Sequence, residues 1–487
     1  MAKQEILQEL GSIFREKLND NFTELYEFAQ EETSVAYVRS VGDNNNAYIA
    51  RPDKPFLTIE AALDALNGAG GVIDIGIGSF VAPPLEKITD NLHFIGVKKP
   101  SFDNITIITD FENVNSTYPN NLINGSIIVG SLIFRNKKNV SVKNLGIDTN
   151  GEPEGLMVSN YEDSIYPLDS RLNGGIEISD VLVLMNSPSL LGHAFLLENL
   201  NNPIVSNIES WGGYHGFVSK SFGGTFNGII THSNAGEGIN LKSNGLVAEG
   251  NFVKDTILSN FKIYNGGFNP LLFDNRDINA TGLQNVIVSN GMIMGGHIGI
   301  TFFDPPGSAL YKDIILNNII IKDVLQYGIK STRLSNVSFS NINISGCEFG
   351  LQATGEGVGV FVNNCSVFNA SGIAFAFAGK VSFNHIHAED IGNAGYGYGI
   401  YSEDLTVTGG HHRIINCKDD YLGAFLPAFQ NGVALIKLDA DPAVDKDQTS
   451  VIWQSSGAGT GDDGDIMIKI KAGGVTKITT LIDFSTL

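Results

Sequence analysis

The stretch LLFDNRDINATG, residues 271–282, ends an apolar run in two carboxylates three apart, Asp274 and Asp277, with Arg276 between them. Downstream, TFFDPPG supplies a further carboxylate, Asp304, and upstream AGEGINLK supplies Glu237. Carboxylates within one structural step of each other suit glycosidic hydrolysis. One donates a proton to the leaving oxygen; the other activates water or attacks carbon. Proximity pushes their pKa values apart, which lets one stay protonated near neutral pH. Arg276 is placed to hold an ionised partner or a sugar.

A second constellation is ESWGGYHGF with AGEGINLK. Trp211 offers a flat, rigid, apolar face of the kind that packs on a sugar ring. His215 followed 22 residues later by Glu237 makes an imidazole–carboxylate pair if the two stack, and the carboxylate is expected to raise the imidazole pKa. With Lys220 and Lys242 nearby, the same residues allow β-elimination, a base removing the proton α to a uronate carboxylate. The set expected to do chemistry is therefore Glu237, Asp274, Asp277 and Asp304, with Trp211, His215, Lys242 and Arg276 binding substrate.

Other chemistries find no support. There is no GxSxG elbow, HExxH or nucleotide-binding glycine loop, so no cofactor is expected. Cys347, Cys365 and Cys417 lack metal-ligand spacing and read as buried thiols; no metal site is expected. GTGDDGD near the C-terminus has the look of a calcium loop but lacks the spacing and closing Glu of an EF-hand, and reads as a turn. A formal net charge of −21 leaves no basic footprint for nucleic acid. The same field repels polyanions, favouring a neutral or weakly charged partner. No apolar run approaches the ~20 residues that span a bilayer, so no membrane insertion is expected, and the N-terminus shows no signal-peptide apolar region.

Positioning these groups falls to a repeat. Turns of the type SN or NN precede apolar strands in VSNIES, LSNFKI, VSNGMI, LNNIII, FSNINI and VNNCSV. A small residue recurs at Ala194, Gly216, Gly238, Pro270, Gly299, Gly328, Gly350, Gly372 and Gly399, spaced 22 to 32 residues apart. The residue after each one is large and apolar, from Phe195 to Ile400, and strand alternation turns it inward. Units of this length cannot bury a face alone and must stack. Fifty-six glycines serve the many turns this requires. The fold class is mainly β: a right-handed single-stranded parallel β-helix with an N-terminal α-helix and a small C-terminal β module.

Stacking converts the repeat into columns. One position before the small residue the column reads His193, His215, Glu237, Asn269; four after it, Glu198, Lys220, Lys242, Asp274. Both are expected to face outward, and Asp304 falls one residue beyond the Asp274 position on the next coil. The 32-residue gap before Pro270 is the longest in the repeat, and its extra residues are suited to wall a groove.

Residues 3–30 carry apolar residues from Leu7 to Ala29 at a mean step of about 3.7, one face of a helix that self-associates. TIEAALDALNG reads as a short helix capped by Thr58 and stopped by Gly68, and GGVIDIGIGSFV as strand. The domain reading is 1–34 helical association and attachment segment, 35–124 cap and first coils, 125–438 β-helix, and 439–487 a β module closing its end.

The KPFLTIEAAL cap segment, the Asn-rich coils and the KLNDNFTELY helix together resemble bacteriophage tailspikes with a pectate-lyase-like β-helix, over roughly residues 1–435. That resemblance implies a homotrimer on the virion, attached to a phage tail or baseplate protein through its N-terminus. It also implies recognition, and in most such proteins cleavage, of a bacterial capsular, O-antigen or exopolysaccharide at the host surface. Alternatives are a β-eliminating lyase, a non-catalytic receptor-binding tail fibre, and a baseplate component without a glycan role. GHHRIIN and YGIKS faintly echo polygalacturonase-type elements, but in reversed order and without the paired-Asp segment, so those catalytic residues do not transfer.

Overall fold

The computed structural model describes residues 35–103, 121–160, 174–185, 192–243, 254–275, 283–303, 310–392, 397–402 and 407–417, with strand stretches between 419 and 482. Residues 1–34, which include the expected association helix, lie outside the described residues. The chain divides into two compact units, Met1–Leu426 and Pro427–Leu487.

The first unit is a parallel β-helix. Two series of strands, each pairing in parallel with its counterpart one coil away, alternate along the chain. One series runs through Val140–Asp148, Ile176–Leu184, Ile204–Trp211, Gly224–His232, Lys254–Tyr264, Gln284–Met294 and Tyr311–Lys322. The other runs through Leu132–Arg135, Glu154–Ser159, His193–Asn201, His215–Phe222, Glu237–Lys242, Leu271–Asp274 and Ile298–Phe303. A strand, Val35–Val38, pairs with Gly71–Ile75, and between them lies a cap helix, Ile59–Leu66, whose N-cap Thr58 side chain accepts from Ala61 N. The helix stops at Asn67 in the left-handed conformation, with φ 50°, one residue before the expected Gly68.

The SN and NN turns have a single physical job. Asn144, Asp180, Asn207, Gly228, Asn260, Asn290, Asn318, Asn341 and Asn364 form one column, every member at positive φ. Each bends a long strand so that it covers two faces of the coil. Asn tolerates this region because its short amide side chain hydrogen-bonds locally. Here it bonds between coils: Asn318 donates to Asn290 at 2.8 Å and Asn364 to Asn341 at 2.6 Å.

The small-residue column is explained by close approach. A Cβ on Gly299 would lie 2.6 Å from the carbonyl oxygen of Gly328, and one on Gly350 2.3 Å from that of Ala374. The next residue points into the core: Phe195, Phe217, Ile239, Leu271, Ile300, Ile329 and Leu351 are all at most 1% exposed. One register expectation is corrected. Leu351 pairs with Phe375 and Phe375 with Ile400, so Ala374, not Gly372, holds the column. Irregularities between Cys347 and Phe349 on one strand absorb the slip.

The second unit carries an antiparallel meander, Thr449–Ser455, Ile466–Ala472 and Val475–Ile482, with Lys437–Leu438 paired in parallel at its edge. Asp465 of the GTGDDGD run accepts from Asp462 N at 2.9 Å through Oδ2, a turn contact within the loop.

Candidate functional site

The stacking register brings four titratable side chains into one column on the outward face of the shorter-strand series. Glu154 pairs with His193, His193 with His215, and His215 with Glu237. Glu154 Oε1 and Oε2 lie 3.1 and 3.2 Å from His193 Nδ1. The two imidazoles stack, centroids 4.8 Å apart and 17° from parallel. His215 Nδ1 in turn contacts Glu237 Oε2. Two imidazoles thus lie face to face with a carboxylate on each outer side.

The chemistry follows from which nitrogens are engaged. A carboxylate at Nδ1 holds a proton on that nitrogen and turns Nε2 away from it. Both histidines are held this way. Burial holds His215 below the ordinary imidazole range; contact with Glu237 opposes this, while His193 and Lys242 add to it. The expectation that the carboxylate would raise the His215 pKa is therefore corrected, because desolvation outweighs it. His215 is a neutral base at pH 7. Tyr214 packs edge-on against its ring at 4.6 Å and 88°, limiting its rotation. The histidine side chains keep 20% and 15% of their surface and Glu154 22%, but Glu237 only 5%, so the site presents both imidazoles and Glu154 and covers Glu237.

Five positions along the same strands lies the second polar column. Lys220 donates to Glu198 Oε1 at 2.8 Å. Lys242 Nζ stands 3.9 Å from Asp274 Oδ2, and Lys242 pairs with Asp274 in register. Asp274 and Asn275 are fully buried, and Ser243 Oγ donates to Asn275 Oδ1 at 3.0 Å. Glu237 precedes Lys242 by five residues, a backbone separation of about 16 Å at ~3.3 Å per residue. That exceeds the roughly 5–9.5 Å between the carboxyls of a glycosidase pair. The structure does not bring Glu237 and Asp274 together as acid and base. Between the columns runs an apolar strip of Met157, Leu196 and Val218, closed by Asn240.

Trp211 corrects another expectation. It is completely buried, in a small cluster outside the helix with Phe102, Leu122, Ile127, Leu182 and Leu184. Phe102 meets its ring at 5.9 Å. Trp211 cannot carry a sugar. It instead begins a stack with His232 (4.1 Å, 10°) and, one coil on, Tyr264 (4.9 Å, 8°). Glu209 Oε1 sits 3.0 Å from His232 Nε2 and accepts from Trp211 Nε1 at 3.4 Å.

Arg276, Asp277 and Asp304 lie outside the described residues. Glu154 was missed in sequence because its coil precedes Ala194 by 39 residues, longer than any counted gap; Gly155–Leu156 carries the same small-then-apolar signature. The Trp211–His232–Tyr264 stack was legible in the other repeat, each member lying four residues after a left-handed turn residue. Among the described residues no group of three or more His, Cys, Asp or Glu is arranged to hold a metal.

No protein-family profile matches the chain, and no curated protein matches it by sequence. Several solved structures share its fold. It is similar to the A-module of mannuronan C-5 epimerase AlgE4 from Azotobacter vinelandii, with 15% identity and a TM-score of 0.43 over 81% of this chain and 100% of that one. It is similar to PfbA, a surface adhesin of Streptococcus pneumoniae, with 11% identity and a TM-score of 0.42 over 92% and 99%. The siphovirus 9NA tailspike receptor binding domain shares 12% identity at a TM-score of 0.32 over 85% and 77%.

Proposed function

We propose that this chain is a phage tailspike that binds a bacterial surface polysaccharide along its β-helix and cleaves it by proton transfer at the Glu154–His193–His215–Glu237 column. The single observation carrying this reading is the pair of stacked imidazoles, each anchored by Nδ1 to a carboxylate. Neutral His215 takes a proton at Nε2 from water attacking the glycosidic carbon, and the neighbouring His193, in its protonated form opposite Glu154, gives its Nε2 proton to the leaving oxygen. Hydrolysis is favoured over elimination on charge: a chain of net charge −21 repels a polyuronate, and Lys242, the cation felt by His215, already faces Asp274. Trimer formation through residues 3–30, attachment to the phage tail through that segment, and a place in the virion belong to the same proposal and rest on the tailspike resemblance.

Burial of Glu237 and Asp274 favours a second reading, a non-catalytic receptor-binding fibre in which Glu237 only orients His215 and Asp274 only offsets Lys242. Incubation with purified capsule and O-antigen separates the readings. New reducing ends without ultraviolet absorbance mean hydrolysis; unsaturated products mean elimination; binding with neither means a fibre. Loss of cleavage in His215→Gln with binding retained is the expected result. Cleavage persisting at the wild-type rate in that variant would remove the column from the mechanism.

A further inference from the structure

A groove of about 460 Å³ opens on the outward face of the first coils, well before the histidine column in sequence. Its floor is another stacked column: Val72, His93, Ser141, Glu177 and Ile204, each paired with the next across successive strands. Ser141 Oγ lies 2.8 Å from His93 Nδ1. Lys143, two residues along the strand from Ser141, meets Glu177 Oε2 at 2.7 Å and lines the same groove. The groove thus holds a hydroxyl, an imidazole and a cation, and none of them takes part in the chemistry above.

A serine becomes a nucleophile when a base within hydrogen-bond reach can take its proton. Burial, reinforced by Lys143 and opposed by Glu177, holds His93 below the ordinary imidazole range. With the neutral ring's proton on Nε2, Nδ1 accepts and the Ser141 hydroxyl donates. Ser141 is nearly buried yet lines the groove, so a bound ligand meets a hydroxyl whose rotor the imidazole has already set. Glu177 stacks on the far side of Ser141 from His93, which makes the arrangement a dyad rather than a triad.

We propose that this groove is a second reactive site, a serine esterase centre in which Ser141 is the nucleophile and His93 its base, acting on a short acyl ester of a sugar-sized alcohol. The volume is within the range of small-ligand sites, and Val72 and Ile204 give apolar walls at the two ends of the column. Ser141 Oγ attacks the ester carbonyl carbon as its proton passes to His93 Nδ1. The oxyanion forms in a groove that carries the Lys143 charge. Collapse breaks the carbon–oxygen bond, and the alcohol leaves with the proton from His93. Water then attacks the acyl-serine, giving its proton to His93; release of the acid returns that proton to Ser141. One ester and one water become one acid and one alcohol.

The test uses the full-length protein and a fluorophosphonate probe, with the adduct located by peptide mass spectrometry. A single adduct on Ser141 is expected. His93→Gln should slow its formation on the order of a hundredfold, the contribution of a positioned base, and Ser141→Ala should abolish it along with turnover of p-nitrophenyl acetate. Wild-type protein left unlabelled at Ser141, or His93→Gln labelled at the wild-type rate, overturns the proposal. Ser141→Cys gives a check independent of those variants' folding. Its alkylation by iodoacetamide should persist well below the ordinary thiol pKa of about 8.5, and an ordinary thiol profile counts against a basic His93.

Discussion

Replacing Glu237 by Gln removes one charge from the histidine column and leaves the side chain's size unchanged. Glu237 is 4% exposed and faces His215 Nδ1. Of the influences on His215, burial, His193 and Lys242 disfavour the imidazolium, and Glu237 alone resists them. Without the carboxylate those three act unopposed, so the His215 pKa falls further. Gln presents either its acceptor oxygen or its donor NH₂ to Nδ1, so the ring's tautomer, and with it the availability of Nε2, is no longer fixed. A correctly held general base contributes about 10²–10⁴ in rate, or roughly 2.7–5.5 kcal/mol of barrier. Two changes should therefore appear together in reducing-end release from host polysaccharide followed against pH: kcat/KM falls by about two to four orders of magnitude, and the acid limb moves to lower pH. A structural role alone would lower the rate through unfolding without moving the limb. A folded Glu237→Gln protein that retains cleavage within about threefold of wild type, with its acid limb unmoved, would refute the reasoning.

The lowered His215 pKa also links stability to pH. As pH falls past about 6.5 the unfolded chain takes this proton first, so stability falls from there towards the folded-state pKa, at up to ~1.4 kcal/mol per pH unit. Denaturant melts across that range should be flatter for His215→Gln by that amount. Trp211→Ala should cost about 3–5 kcal/mol as a core truncation, seen by thermal unfolding, while glycan affinity stays unchanged; a selective loss of affinity would restore its sugar-binding role. Gly299→Ala places a Cβ 2.6 Å from Gly328 O and 2.7 Å from Ile321 Cγ2, an overpacking cost of about 1–3 kcal/mol. Gly174→Ala, whose Cβ meets nothing within 4 Å, should stay near wild type in the same melt. Burial pushes the Cys347 and Cys365 thiols up to about 12, so neither should react with a disulfide reagent at pH 8 until the chain unfolds.

Much of the architecture was written locally. The alternation after each small residue named the inward column from Phe195 to Leu351, because a strand's period of two leaves only one way to bury every second side chain. The SN and NN turns marked the left-handed column, because few residues other than Gly and Asn enter that region at low cost. Stacking His215 beside Glu237 needed only the 22-residue spacing. The slip at Ala374 was not visible, since Gly372 and Ala374 are both small and only backbone pairing across the gap distinguishes them.

What the sequence could not decide was what covers the outside of the coils. Register sends Trp211 and Asp274 outward, yet both are fully buried. For Trp211 the cover comes from Phe102 and Leu122, about a hundred residues earlier in the chain. The sign of the His215 shift had the same origin. The neighbouring carboxylate can be read from spacing, but the desolvation that outweighs it depends on all that packs around the ring. Periodicity is a property of the chain taken a few residues at a time, and it determined the coil, its turns and its columns. Burial belongs to the assembled surface, and only the tertiary structure decided which of the outward residues meet solvent and which protonation states they hold.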